Sequence, residues 1–185
     1  MNNRKVMYLV HAAMIAALYI VLTLLANALG IASGSIQVRF SEALTVLPFF
    51  TSAAIPGLYI GCLLGNIAIG SALPDILFGP IPTLIGAIGT WGLGKAYSHY
   101  ASKKKPEDQK ETLRAALCKW LSPVPPILAN AAIIPPVLKY AYGIVPIWLS
   151  VVTVGIGEIL SCGVFGLILL FALTRYRGRL FGNEN

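Results

Sequence analysis

Residues 6–38, V-M-Y-L-V-H-A-A-M-I-A-A-L-Y-I-V-L-T-L-L-A-N-A-L-G-I-A-S-G-S-I-Q-V, contain no Asp, Glu, Lys or Arg and decide the class of fold. Further charge-free stretches cover 43–74, 76–94, 120–138, 140–157 and 159–174. Apolar runs of about 18 or more residues are typical of membrane-spanning helices, and the first two stretches are long enough to contain parts of more than one span with a turn. The sequence therefore predicts an all-α, multi-pass membrane protein.

The composition excludes a water-soluble domain. Of the 185 residues, 57% are hydrophobic and 11% are charged, and the mean hydropathy is +0.77. A soluble domain carries about 25% charged residues. The net charge of +7 does not indicate nucleic-acid binding, because the only basic run, at 103–105, lies in a polar stretch beside acidic residues. The three cysteines are widely spaced and predict neither a disulfide framework nor a metal site.

Turn residues divide the apolar stretches into six predicted transmembrane helices in a single domain, 1–185. They lie at about 6–29, 36–51, 55–71, 82–100, 120–140 and 146–176, with a cytoplasmic loop at about 101–119. With the N-terminus inside, all 14 Lys and Arg residues except Arg39 and Lys139 fall on the cytoplasmic side. Both termini are thus expected in the cytoplasm. The first span follows Arg4 and Lys5 and is too long for a cleaved signal peptide, so we expect it to remain as an anchor.

Ionisable groups at membrane depth are costly and are functional candidates. Arg39 and Glu42 are three residues apart near the outer end of the second helix, where they could neutralise each other or reach a ligand. Glu158 is expected near the membrane midplane, as a ligand contact or as a protonated acid bonded to a neighbouring helix. Asp75 follows a proline in the predicted outer loop between helices 3 and 4, where a structural and a functional role are both open.

Uncharged residues supply further candidates. Asn66 and Asn130 could join helices or recognise a ligand, and Tyr140, Tyr142 and Trp148 could form an interfacial belt or a stacking platform. Two overlapping pairs of small residues in helix 1 permit close helix packing: Ala12 with Ala16, and Ala13 with Ala17. The sequence contains no recognised catalytic or nucleotide-binding motif, which indicates a non-enzyme.

The segments Q-V-R-F-S-E-A-L-T-V-L-P (37–48), I-P-G-L-Y-I-G-C-L-L-G-N (55–66) and D-I-L-F-G (75–79) resemble the QueT family of queuosine-precursor transporters. These are substrate-binding S components of energy-coupling factor (ECF) transporters. The resemblance implies a six-helix S-component bundle in the plasma membrane of a prokaryote, with a binding site open to the outside. It also implies a 7-deazaguanine cargo, such as queuine or its nitrile or aminomethyl precursors.

The resemblance implies partners as well. They are a transmembrane coupling protein, expected to meet one of the two Ala pairs of helix 1, and two ATPase subunits that hydrolyse ATP, so no cofactor is expected on this chain. Glu158, Glu42 and Asp75 are the carboxylates available for the cargo's N–H donors, and Arg39, Asn66 and Asn130 could read its remaining polar edge. Three alternatives remain: an S component for thiamine or riboflavin, an intramembrane enzyme using Glu158, and a structural membrane subunit.

Overall fold

The computed structural model describes residues 3–30, 39–102 and 109–176, and every regular element within them is helical. A 3-10 helix at Phe40–Phe49 follows the first α-helix, and a π-helical segment at Ile159–Phe165 joins the last two. The α-helices are α1 (Asn3–Ala28), α2 (Ala54–Ala68), α3 (Leu73–Phe78), α4 (Pro80–Ser102), α5 (Gln109–Trp120), α6 (Val124–Tyr142), α7 (Ile147–Glu158) and α8 (Gly166–Thr174).

The described residues contain four segments that are long and apolar enough to cross a membrane, at Asn3–Ala28, Leu73–Ser102, Thr112–Tyr142 and Ile147–Thr174. The 3-10 helix and α2 are apolar but shorter. Large apolar side chains cover the outside of the bundle: Leu9 on α1, Leu128 on α6 and Ile168 on α8 are each more than 60% exposed. Such a surface suits lipid, and the chain is a membrane-embedded, multi-pass protein.

The structure corrects three predicted elements. The predicted helix at 36–51 is a ten-residue 3-10 helix, and the start of the prediction lies outside the described residues. The predicted outer loop around Asp75 instead forms the short helix α3. Pro74 lies in the first turn of this helix, where proline is favoured. Part of the predicted loop at 101–119 is α5, because its charged sequence is amphipathic and buries Ala115 and Cys118, which are three residues apart.

Helix α1 packs closely against α2 because α2 presents glycines to it. A Cβ atom placed on Gly57 would lie 2.7 Å from the carbonyl oxygen of Ala12, and one on Gly61 would lie 2.7 Å from the Cβ of Tyr19. These distances leave no room for a side chain. The contact buries Ala16 and Tyr19 at the helix pair, together with Leu58 of α2.

The 3-10 helix lies inside the bundle, in contact with α1, α2, α4, α8 and the π-helical segment. Eight of its ten residues are buried. Ten residues is long for a 3-10 helix, because runs of more than about four are uncommon. Its apolar residues Val46 and Phe49 pack with Leu170 of α8. Its buried polar residues therefore lie among the other helices, and they form part of the candidate site.

Candidate functional site

A cavity of about 310 Å³ opens where the C-terminal ends of α1, α2 and α6 meet the start of the 3-10 helix and of α3. This volume is at the lower end of the range for small-molecule sites, about 300 to 1,000 Å³. Its walls combine polar side chains, two tyrosines and a few aliphatic groups. The lining residues are Tyr19, Thr23, Ala26, Asn27, Arg39, Ser41, Asn66, Ile69, Gly70, Ser71, Asp75, Leu138, Tyr142 and Ile144.

Arg39 and Asp75 bring opposite charges to the cavity wall. Arg39 precedes the 3-10 helix and Asp75 lies in the first turn of α3, and their Nη2 and Oδ2 atoms are 3.9 Å apart. The Asp75 side chain is 4% exposed, and its Oδ1 atom has no hydrogen-bond partner among the described residues. A buried carboxylate oxygen without a donor is unfavourable, so this atom is suited to accept a hydrogen bond from a ligand.

Asn66 connects α2 to the same wall. Its Nδ2 atom donates a hydrogen bond of 3.2 Å to the backbone oxygen of Asp75, and its side chain is 3% exposed. The sequence left open whether Asn66 joins helices or contacts a ligand. The structure shows that it fixes α3 to α2 while it also lines the cavity.

Glu42 lies behind this wall. It is 1% exposed, and its Oε1 atom accepts hydrogen bonds from the hydroxyl of Tyr19 and, at 3.4 Å, from that of Thr83. Its Oε2 atom has no hydrogen-bond partner among the described residues. Because Tyr19 lines the cavity and Glu42 does not, the tyrosine lies between the carboxylate and the open space.

Glu158 ends α7 and is 5% exposed. The thiol of Cys162 lies 3.1 Å from its Oε2 atom and 3.3 Å from the carbonyl oxygen of Glu42. One oxygen of each carboxylate and this sulfur all lie within 4.8 Å of one another. The short sulfur–oxygen contact needs a hydrogen between the two atoms, whereas a metal-bound thiol is deprotonated. The arrangement therefore suits a hydrogen-bonded cluster better than a metal centre.

The remaining predicted ligand residues lie away from the cavity. Asn130 is buried and donates a hydrogen bond of 3.1 Å to the backbone oxygen of Pro126, within its own helix. Tyr140 and Trp148 are 82% and 67% exposed, and neither lines the cavity. Their contribution to ligand binding stays a prediction, and their exposure is typical of an interfacial aromatic belt.

The two small-residue pairs of α1 lie on different faces. Ala12 and Ala16 contact α2 at its glycines, whereas Ala13 and Ala17 are exposed on the outside of the bundle. The first pair is thus used within this chain. The second pair is free to contact a lipid or another subunit.

Two aromatic residues line the cavity wall: Tyr19, which sequence reasoning missed, and Tyr142, which it considered together with Tyr140 and Trp148. The hydroxyl oxygen of Tyr142 accepts a hydrogen bond of 3.0 Å from the backbone N–H of Ala72, which joins the end of α6 to the start of α3. Tyr19 follows Ala12 and Ala16 along the same face of α1, so the packing pattern of that face could have identified it.

Comparison with known proteins gives a family match over most of the chain. The family model described as QueT transporter matches residues 9–175. A protein of Lactococcus lactis subsp. cremoris (strain MG1363) named Queuosine precursor transporter QueT is 34% identical over 85 residues, which is 46% of this chain and 50% of that protein. The similarity thus spans about half the length of that curated relative. No solved structure matches the chain significantly.

Proposed function

The chain belongs to the QueT transporter family, and from that premise we propose that it is the substrate-binding S component of an ECF importer for a 7-deazaguanine precursor of queuosine. Membership of this family identifies the chain as a transporter protein and not as an enzyme. The observation that supports the proposed cargo is the Arg39–Asp75 pair on the cavity wall, in which the Asp75 side chain is buried and one of its oxygens has no donor among the described residues.

The chemistry of the cargo matches the groups on this wall. A guanine-like base offers two adjacent N–H donors, which a carboxylate such as Asp75 accepts well, and a carbonyl oxygen, which a guanidinium such as Arg39 can donate to. The rings of Tyr19 and Tyr142 supply aromatic surface for a flat heterocycle. Asn66 positions Asp75 through its backbone oxygen.

The proposed topology has six membrane-crossing segments, with the 3-10 helix and α2 as the two short ones and both termini in the cytoplasm. In this orientation the C-terminal ends of α1 and α2 face outwards, so the cavity receives cargo from outside a prokaryotic cell. The excess of Lys and Arg on the opposite side supports this orientation.

The proposed partners are a transmembrane coupling protein and two ATPase subunits, which would supply the energy from ATP. The face of α1 that carries Ala13 and Ala17 is the surface we assign to the coupling protein, because Ala12 and Ala16 already contact α2. Exposed small residues allow two helices to approach closely.

Ligand binding to the purified chain tests the proposal. Isothermal titration with queuine, its nitrile and aminomethyl precursors, guanine, thiamine and riboflavin should show tight binding for at least one 7-deazaguanine and none for the two vitamins. Guanine controls for the pyrrole ring of the 7-deaza compounds. Binding of thiamine or riboflavin alone would overturn the cargo, and turnover of any ligand would overturn the transport role.

A further inference from the structure

Two carboxylates share one buried cluster beside the cavity. Glu42 is on the 3-10 helix and Glu158 is on α7. Cys162, on the π-helical segment, contacts the side chain of Glu158 and the backbone oxygen of Glu42. None of the three lines the cavity, so the cargo site does not account for them. The Oε2 atom of Glu42 has no partner among the described residues, although the side chain is 99% buried.

The charges around the cluster do not balance two ionised carboxylates. Arg39, which directly precedes the 3-10 helix, is the charged neighbour, and its own salt bridge is to Asp75 of α3. The other titratable groups facing the cluster are uncharged in their ordinary state: Tyr19 of α1, Cys62 of α2 and Cys162. Helix α4 contributes the hydroxyl of Thr83, α8 has no titratable residue, and the titratable residues of α6, Lys139, Tyr140 and Tyr142, lie in its C-terminal turn.

Two like charges this close in an apolar interior strongly repel, and neighbouring buried carboxyl groups commonly share a proton. We propose that Glu42 and Glu158 form a proton-binding site and that Tyr19 links its occupancy to cargo binding in the adjacent cavity. The link is structural, because Tyr19 donates its hydroxyl hydrogen to Glu42 and also forms part of the cavity wall. The link to cargo binding rests on the proposed function, whereas the proton site does not depend on it.

The direction of the linkage follows from the charge. Loss of the shared proton leaves two negative charges that push the 3-10 helix and α7 apart. This displaces Glu42, the hydrogen-bond partner of Tyr19, and so weakens cargo binding at the cavity wall. Cargo affinity should therefore be highest at low pH and fall as the pH rises through the range in which the pair loses its shared proton. If cargo changes the proton affinity of the pair tenfold, cargo affinity changes by about tenfold across this range, because linkage is reciprocal.

The first experiment measures the proton without cargo. Infrared difference spectra of the purified chain, recorded between low and high pH, should show the carbonyl band of a protonated carboxyl group that disappears in Glu158→Gln or Glu42→Gln. The control Glu111→Gln makes the same substitution just before the apolar segment that begins at Thr112, and it should keep the band. A band unchanged in both Glu158→Gln and Glu42→Gln would overturn the proton site.

The second experiment measures the linkage. Titrating the tightest-binding 7-deazaguanine into the wild-type chain in buffers of different ionisation enthalpy should show proton exchange and the expected pH dependence. Glu158→Gln should bind within about threefold of the wild type at low pH and lose the dependence, because glutamine imitates the protonated acid. A pH dependence unchanged in Glu158→Gln would overturn the link. A wild-type chain that binds no 7-deazaguanine at any pH would instead overturn the proposed function, and the infrared result would still decide the proton site.

Discussion

The hydroxyl of Tyr19 donates a hydrogen bond to Glu42, joining a residue on the cavity wall to a carboxylate buried behind it. Both side chains are 1% exposed. The contact joins two residues that are 23 positions apart in the sequence, one on α1 and one on the 3-10 helix. It therefore couples the packing of α1 to the shape of the cavity.

Tyr19→Phe should weaken both folding and cargo binding. Without the hydroxyl, Glu42 keeps only the longer hydrogen bond from Thr83, and an underpartnered buried acceptor costs about 1 to 3 kcal/mol. We expect a lower midpoint of thermal unfolding and a higher Kd, measured by a melting assay and by titration. Tyr140→Phe removes the same hydroxyl from a side chain that is 82% exposed and should change neither. Equal behaviour of the two variants would show that the Tyr19–Glu42 contact has no energetic role.

Asp75→Asn should lower cargo affinity by at least about tenfold, because a hydrogen bond to a charged group contributes about 1.5 to 3 kcal/mol. Asparagine nearly conserves the shape but presents an N–H₂ group in place of one acceptor oxygen. Titration of the purified variant with 7-deazaguanines is the measurement. Asp108→Asn, in the charged stretch of the sequence, is the matched control and should bind like the wild type. Wild-type affinity in Asp75→Asn would remove this carboxylate from the cargo site.

Gly61→Ala should destabilise the bundle although alanine favours helices. The added Cβ would lie 2.7 Å from the Cβ of Tyr19, and overpacking of this kind costs about 1 to 3 kcal/mol. Gly155→Ala, on α7, is the control because nothing lies within 4 Å of its Cβ position. We expect thermal unfolding several degrees lower for the first variant and unchanged or higher for the second. A stable Gly61→Ala protein would mean that α1 and α2 separate at little cost.

Tryptophan on the two faces of α1 should give different defects. Ala13→Trp and Ala17→Trp should leave the isolated chain folded but prevent copurification with the coupling protein and ATPases, because they add bulk to the exposed face. Ala16→Trp should instead unfold or aggregate the chain, since Ala16 is 8% exposed and packs against Gly61. Retention of the full complex by the double variant Ala13→Trp/Ala17→Trp would exclude this surface as the docking face.

The helices could be predicted from sequence largely because charge-free runs report directly on lipid exposure. Prediction failed where tertiary contacts decide the structure. The 3-10 helix is apolar enough to resemble a spanning α-helix, and only its packing against five neighbouring elements distinguishes it. Helix α5 lies almost entirely within the predicted loop at 101–119, because the many charged residues of this stretch obscure its amphipathic pattern.

The site was predictable in part for the same reason. Polar residues are so scarce that Arg39, Asp75 and Asn66 could be chosen by chemistry alone, and the fold brings all three to one cavity. Aromatic residues could not be sorted in this way. Tyr140 and Tyr142 are two positions apart on α6, so they point in nearly opposite directions, and only Tyr142 reaches the cavity.

The shortness of α2 and the 3-10 helix has a consequence for the surrounding lipid. Fifteen residues of α-helix extend about 22 Å and ten of 3-10 helix about 20 Å, whereas the hydrocarbon layer is about 30 Å thick. Helix α1 has 26 residues, so α2 is much the shorter partner of this pair, and the cavity lies where α2 ends. We expect lipid to thin where it meets the exposed side of α2, so that acyl-chain length becomes a determinant of how readily a polar base reaches Asp75.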